Sequence, residues 1–119
     1  MTIKEKIGQM IQAERSNIRP GDILKYKLGS LLSGGGFAPV PNNQNVWIHM
    51  IDKFQKEVMS TRLKIPLLYG IDSVHGHNNV YGATIFPHNI IGLGATGDFD
   101  LVKKIGNVVA KEILETGIS

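Results

Sequence analysis

The chain has 119 residues, a length that suits one globular domain with a modest hydrophobic core. Its net charge of +3 comes from 13 basic and 10 acidic residues without a long basic run, which argues against nucleic-acid and membrane-surface partners. The absence of cysteine excludes disulfides and thiolate metal sites. No apolar stretch is long enough to span a bilayer, and the amino terminus has no signal-peptide pattern, so any secretory signal is expected to have been removed or omitted.

Local signals predict four helices that alternate with four short strands. Helix starts are indicated by capping residues and by apolar positions that recur every three or four residues. The helices are predicted to start at a Thr2/Glu5 capping box, to run from Pro20 to Gly29, to cover residues 45–60, and to run from Asp98 to Gly117. The strands are predicted over residues 10–13, 30–33, 65–70 and 90–95.

The alternation of strands and helices predicts an α/β fold with parallel pairing and right-handed crossovers. The last helix is predicted to face inward with its apolar residues, Leu101, Val102, Ile105, Val108, Val109 and Ile113. Four parallel strands would leave two open sheet edges, and a fifth strand would be due after residue 119. We therefore expect residues 1–119 to be the amino-terminal βα units of a partial (β/α)8, TIM-like barrel. A small, self-contained open α/β sheet is the alternative.

The densest cluster of polar side chains follows the predicted strand at residues 65–70, and Asp72 is its first member. Parallel sheets build binding sites at the carboxyl ends of their strands. A carboxylate placed there can accept hydrogen bonds from two sugar hydroxyls or take part in acid–base chemistry. The alternative is an Asx turn, in which Asp72 bonds its own backbone after Gly70.

His75 and His77 form an H-x-H pair within the same cluster. On a strand such residues point the same way, so the two imidazoles could hold zinc or iron, as in metal-dependent barrel hydrolases. The further ligands that such a site needs are not evident, and His88 is a weaker candidate. With Gly76 between them, the two histidines are otherwise expected to bond neighbouring loops.

Glycines and a second carboxylate follow the earlier strands. The run Gly34-Gly35-Gly36 fits neither phosphate-binding glycine spacing, so it is expected to be a flexible loop. Glu14 is the other carboxylate close to a strand end. We expect it to pair with a cation such as Arg15 or Arg62 rather than to act with Asp72 as a catalytic pair.

The segment YGIDSVHGHNNVYGATIFPHNI, residues 69–90, closely resembles the glycoside hydrolase family 3 enzymes. Within that family it looks most like the β-D-glucan exohydrolases and β-glucosidases of plants and bacteria. The resemblance extends backward through IPLLYG, STRLKIP, LLSGGG and EKIGQMIQAERS, and forward through GLGAT and the last helix. It covers almost all of the chain and is more specific than any short motif.

The resemblance implies a retaining enzyme that removes glucose from the non-reducing ends of β-glucans and β-glucosides. It implies an amino-terminal barrel followed by an α/β sandwich domain, no metal or cofactor, and an extracellular, cell-wall or periplasmic location. Asp72 would bind hydroxyls of the terminal sugar, and His75, His77 and Asn78 would support its loop. The nucleophile and the acid/base would lie in the remainder of the same enzyme chain, so no catalytic residue is expected within residues 1–119.

On this interpretation the 119 residues alone are expected to be inactive and poorly soluble. Two alternatives stay open: a metal-dependent barrel hydrolase that uses His75 and His77, and a non-catalytic carbohydrate-binding fragment. The chain departs from the family pattern by an extra residue at Ile90-Ile91, and by Gly97 and Phe99 where Arg and Pro are common. The extra residue is expected to reverse side-chain facing in a strand or to be absorbed by the preceding loop.

Overall fold

The structure, a computed structural model, describes residues 1–118 of the chain. Its centre is a parallel three-stranded sheet in the order β1-β2-β3, formed by β1 Gln12–Glu14, β2 Ser30–Ser33 and β3 Leu68–Ile71. In the register, Leu31 of the central strand pairs with Ala13 on one side and with Tyr69 on the other. The parallel pairing of strands separated by helices confirms the predicted α/β class.

Four α-helices accompany the sheet, and three of them begin at capping residues. They are α1 Ile3–Gln9, α2 Asp22–Tyr26, α3 Gln44–Met59 and α4 Phe99–Leu114. Thr2 and Glu5 form the predicted capping box, Asn43 caps α3, and Asp98 caps α4. The second helix is shorter than predicted, because Gly21 and Lys27, both in left-handed conformation, delimit it. Within residues 1–118, no helix combines the length and the apolar composition needed to cross a membrane.

The fourth strand predicted over residues 90–95 was wrong, since this segment is helical. Asn89–Leu93 forms one wide π-helical turn, in which the Leu93 N–H donates to the His88 carbonyl at 3.1 Å, and a 3-10 turn over Gly94–Thr96 follows. A π turn accommodates one more residue than an α turn. The extra isoleucine at 90–91 therefore lies in a helical turn, where the predicted reversal of strand facing does not arise.

The two faces of the sheet differ in how they are covered. Leu31, Ser33 and Tyr69 point toward the helices, and Ser33 and Tyr69 share a buried hydroxyl–hydroxyl hydrogen bond of 2.5 Å. The core on this side is apolar and consists of Ile23, Leu28, Leu31, Trp47, Ile51, Val58, Leu67, Tyr69, Val80 and Ile118. The opposite face carries Leu68, which is 64% exposed, and no element of residues 1–118 covers that side chain. The sheet is therefore half-covered.

Helix α4 has an apolar face, but none of its residues is fully buried within residues 1–118. Of the residues predicted to face inward, Ile113 packs against the core, whereas Leu101, Val102 and Val108 are exposed. The face borders a groove of about 460 Å³ lined by Asn89, Leu93, Val102, Ile105, Gly106, Val109, Ala110 and Ile113. Among residues 1–118, this helix is docked at its carboxyl end: the Gln44 side chain donates to the Glu115 carbonyl at 3.0 Å, and Thr116 is buried. The radius of gyration of 16.0 Å exceeds the value of about 13.5 Å expected for a compact chain of this length, in keeping with a protruding helix.

Candidate functional site

Asp72 directly follows β3, and its backbone is fixed while its side chain is free. Its N–H donates to the Ser33 carbonyl at 3.2 Å, which extends the sheet ladder by one bond, and its carbonyl accepts from the Asn79 amide at 2.5 Å. The residue is exposed, and its carboxylate takes part in no hydrogen bond or ion pair among residues 1–118. The alternative of an Asx turn is therefore not realised, and the carboxylate is available to a ligand.

A chain of side-chain hydrogen bonds connects the Asp72 backbone to the core. The indole N–H of Trp47 donates to Asn42 Oδ1 at 2.9 Å, and Asn42 Nδ2 donates to the Asn79 carbonyl at 2.9 Å. Trp47 is fully buried and Asn79 is 5% exposed. Sequence reasoning missed Asn42 and gave Asn79, a member of the polar cluster, no role, because the bond between these two residues spans 37 positions and leaves no local pattern. It named Asn78 instead, which is exposed and whose backbone N–H donates to the Gly76 carbonyl.

His75 lies half-buried and connects the Asp72 loop to the segment that follows it. Its Nδ1 lies 3.2 Å from the Phe86 carbonyl oxygen, and the Phe86 N–H donates back to the His75 carbonyl at 3.0 Å. Gly76 is left-handed, with φ of +80°, and a Cβ at this position would lie 2.6 Å from the Thr84 carbonyl oxygen. The H-x-H sequence is therefore part of a tight loop that requires glycine, not of a strand.

His77 is fully buried and contacts the end of α4. Its Nε2 lies 3.0 Å from Thr116 Oγ1, and its ring meets Trp47 edge-on at 6.0 Å between centroids. The Thr116 hydroxyl donates its only proton to the Ile113 carbonyl, so His77 Nε2 is the donor in their bond. Burial lowers the pKa of His77, and the nearby charge of Glu112 opposes this shift only in part. His77 is therefore a neutral residue that holds the loop against α4.

The two histidines of the H-x-H pair have different partners. His75 bonds the Phe86 carbonyl, whereas His77 bonds Thr116, and the ring next to His75 is that of His88 at 5.3 Å. Among residues 1–118, no three His, Asp or Glu side chains come together as metal ligands. The geometry gives no support to a metal site built on this pair.

Glu14 is engaged with backbone groups rather than with a cation. Its Oε1 accepts from the Ser16 N–H at 3.3 Å and its Oε2 from the Gly34 N–H at 3.2 Å, so it ties together the loops after β1 and β2. The expected pairing of Glu14 with Arg15 or Arg62 was wrong: Arg62 forms its ion pair with Glu5 at 2.8 Å, and no ion pair of Arg15 occurs among residues 1–118. The glycine loop is thus held at Gly34 by the Glu14 carboxylate, whereas the Asp72 carboxylate has no partner within residues 1–118.

A pocket of about 300 Å³ lies beside the Asp72 loop, between the start of α3 and the end of α4. Its lining residues are Gln44, His77, Val80, Tyr81, Gly82, Ala83, Glu112, Glu115 and Thr116, and Asp72 is not among them. Glu112 accepts from both the N–H and the hydroxyl of Thr84. The pocket is therefore part of the packing between the loop and α4 and is separate from the free carboxylate.

Comparison with known proteins gives consistent matches along the chain. The glycosyl hydrolase family 3 N terminal domain matches residues 2–119. The lysosomal beta glucosidase of Dictyostelium discoideum is 35% identical over 99% of this chain, and the periplasmic beta-glucosidase of Salmonella typhimurium is 31% identical over 100% of it. The chain spans 16% and 14% of the length of these two relatives.

Solved structures agree with this result. Two structures of an exo-1,3/1,4-beta-glucanase (ExoP) from a Pseudoalteromonas species, one of them a Q683A mutant, match with 46% identity and TM-scores of 0.88 and 0.87. Both matches cover 100% of this chain. They cover 15% and 20%, respectively, of the length of the two solved chains. The family match and the sequence identity confirm the resemblance that residues 69–90 indicated. The chain belongs to glycosyl hydrolase family 3.

Proposed function

We propose that the chain is the amino-terminal part of the barrel domain of a β-glucosidase or β-glucan glucohydrolase. In this proposal the whole enzyme acts on the non-reducing ends of β-glucans or β-glucosides and releases glucose with retention of configuration. The names of the relatives, two β-glucosidases and an exo-1,3/1,4-beta-glucanase, support this class of substrate. Two of them are lysosomal or periplasmic, which supports a location outside the cytoplasm for this protein as well.

The observation that carries the proposal is the free carboxylate of Asp72 at the carboxyl end of β3. Both backbone groups of this residue are bonded, so the side chain leaves the sheet from a fixed point. A carboxylate accepts charge-assisted hydrogen bonds, which are about twice as strong as neutral ones. Its two oxygens match two neighbouring hydroxyls of a glucosyl ring. We assign Asp72 to binding of the terminal sugar.

The reaction itself requires groups from outside residues 1–119. Retaining hydrolysis uses two carboxyl groups about 5–5.5 Å apart, one as nucleophile and one as acid and base. Glu14, the other carboxylate close to a strand end, is occupied by the N–H groups of Ser16 and Gly34. We therefore assign both catalytic carboxyl groups to the remainder of the same enzyme chain, and residues 1–119 alone are expected to show no β-glucosidase activity.

The uncovered surfaces support an incomplete barrel. Leu68, on the side of the sheet away from the helices, is 64% exposed, and the apolar face of α4 borders an open groove. Parallel sheets are normally covered on both faces, and an amphipathic helix buries its apolar side. In the proposal, later βα units of the enzyme cover both surfaces, as the much greater length of the relatives allows.

The test is substitution of Asp72 in the full-length enzyme. Asp72→Asn replaces one carboxylate oxygen by an amide without changing the size of the side chain. We expect the KM for a β-glucoside and the inhibition constant of glucose to rise about tenfold to hundredfold, the loss expected for a hydrogen bond to a charged group. Asp52→Asn, an exposed carboxylate on α3, is the matched control. Unchanged glucose affinity in Asp72→Asn would overturn the assignment.

A further inference from the structure

We propose that Asn42 and Asn79 are positioning residues that hold Asp72 in place for sugar binding. The inference rests on the proposed function, since it concerns how the Asp72 carboxylate is oriented. It starts from the chain of hydrogen bonds that leads from the buried indole of Trp47 through two amides to the Asp72 carbonyl.

The orientation of the Asn42 amide is fixed by the chemistry of its two partners. Its Oδ1 faces the indole N–H of Trp47, which can only donate, and its Nδ2 faces the Asn79 carbonyl, which can only accept. A flipped amide would lose both hydrogen bonds. Because Trp47 is fully buried at the first turn of α3, Asn42 is anchored to the core of the molecule.

The Asn79 amide acts where the sheet ladder stops. The Asp72 N–H still bonds β2 through the Ser33 carbonyl, but β3 ends at Ile71 and the strand ladder offers no partner to the Asp72 carbonyl. Asn79 Nδ2 supplies that partner, and Asn79 is itself held at its own carbonyl by Asn42. With both backbone groups of Asp72 held, the direction of its Cα–Cβ bond is set.

Such support matters because a binding group must be held within a fraction of an ångström of its productive position. Without the Asn79 amide, the carbonyl after β3 would turn toward water and the carboxylate would sample several directions. Loss of this support should therefore weaken glucose binding without removing the carboxylate. A purely structural role would lower stability alone.

The test compares two variants of the full-length enzyme. Asn79→Ala removes the donor to Asp72, and Asn42→Asp keeps the acceptor for Trp47 but places an oxygen against the Asn79 carbonyl. For both variants we expect the glucose inhibition constant and the KM for a β-glucoside to rise about tenfold, with a smaller change in kcat, as for lost uniform binding. Val58→Ala, a buried residue near the far end of α3, is the control. It should lower the Tm and leave the inhibition constant unchanged.

A double-mutant cycle separates this inference from the proposed function. In an Asp72→Ala background, Asn79→Ala should have no further effect on glucose affinity, because the group that it positions is gone. If Asp72→Ala itself leaves glucose affinity unchanged, the proposed function fails. Two outcomes would refute the positioning role when Asp72→Ala does weaken glucose binding. In the first, the glucose affinities of Asn79→Ala and Asn42→Asp stay within about twofold of the wild type. In the second, the effects of these variants on glucose affinity add to that of Asp72→Ala. Should Asn79→Ala fail to fold, the isosteric Asn42→Asp decides alone.

Discussion

Glu5 and Arg62 form a two-point ion pair that joins the start of α1 to the segment after α3. Arg62 Nε lies 3.2 Å from Glu5 Oε1, and Arg62 Nη2 lies 2.8 Å from Oε2. The Glu5 side chain is 8% exposed and also accepts from the Thr2 N–H, so one carboxylate serves both the capping box and the ion pair. The hydrogen bonds from Arg62, followed by that from Thr2, lower the pKa of Glu5 to about 2.

This pair predicts a loss of stability in acid. The folded pKa of Glu5 lies below its unfolded value of about 4.5, so its contribution is complete above that pH and disappears as the pH falls toward 2. We expect Glu5→Gln to be less stable than the wild type at pH 7 and to show a flatter decline of Tm between about pH 4.5 and pH 2. Thermal unfolding across this range is the measurement, with Asp52→Asn as control. Parallel curves for wild type and Glu5→Gln would contradict the prediction.

The burial of His77 predicts a second pH range in which stability changes. Burial lowers the pKa of His77 in the folded state, so as the pH falls the residue binds a proton in the unfolded chain before it does so in the folded chain. Stability due to this residue is therefore full above the unfolded pKa of about 6.5 and is lost as the pH falls below it. We expect His77→Phe to remove the slope of Tm against pH just below about 6.5. An unchanged slope in His77→Phe would contradict the prediction.

Gly76 should not tolerate a side chain. Alanine at this position would adopt a φ of +80° and bring its Cβ within 2.6 Å of the Thr84 carbonyl oxygen. Gly82 offers a matched control, since it has a φ of +96° but nothing within 4 Å of a Cβ. We expect Gly76→Ala to lower the free energy of unfolding in urea by about 1–3 kcal/mol more than Gly82→Ala does. Equal losses of unfolding free energy in Gly76→Ala and Gly82→Ala would show that the close contact with the Thr84 carbonyl adds no destabilisation.

The apolar face of α4 gives a prediction about the proposed full-length enzyme. Ile105 and Val109 line the open groove, so in the isolated residues 1–119 truncation of Ile105 to alanine should change the free energy of unfolding by less than about 1 kcal/mol. In the full-length enzyme the same change should cost about 2–5 kcal/mol, the usual loss for a buried isoleucine. Asn107→Ala on the exposed side of α4 is the control in both proteins. Equal effects of Ile105→Ala in both would contradict coverage of this face.

Local signals predicted those parts of the fold that local interactions determine. The capping box of Thr2 and Glu5 and the cap at Asp98 were recognisable because their partners lie three residues away. The amphipathic pattern of α4 was predicted correctly. The spacing of apolar residues identifies an apolar face of a helix, but it does not show which part of the protein packs against that face. The wrong strand over residues 90–95 has a similar origin, since a short apolar run fits a strand and a helical turn equally well.

The candidate site was also predicted only where its signal is local in the sequence. Asp72 was found because a polar cluster after an apolar strand is visible in the sequence. Its supporting groups were not, because Asn42 bonds Asn79 across 37 residues and resembles any loop asparagine until the chain is folded. The partner of Arg62 was also missed, since the ion pair with Glu5 joins positions 57 residues apart.

The strand order β1-β2-β3 follows the order of synthesis. Each strand pairs with the one made just before it, so the sheet with α1 to α3 can assemble as soon as β3 has left the ribosome. In the proposed full-length enzyme, helix α4 would emerge next and expose its apolar stripe until the later βα units are made. During that interval the apolar stripe would be prone to aggregation, and this stretch is where a chaperone would be expected to bind.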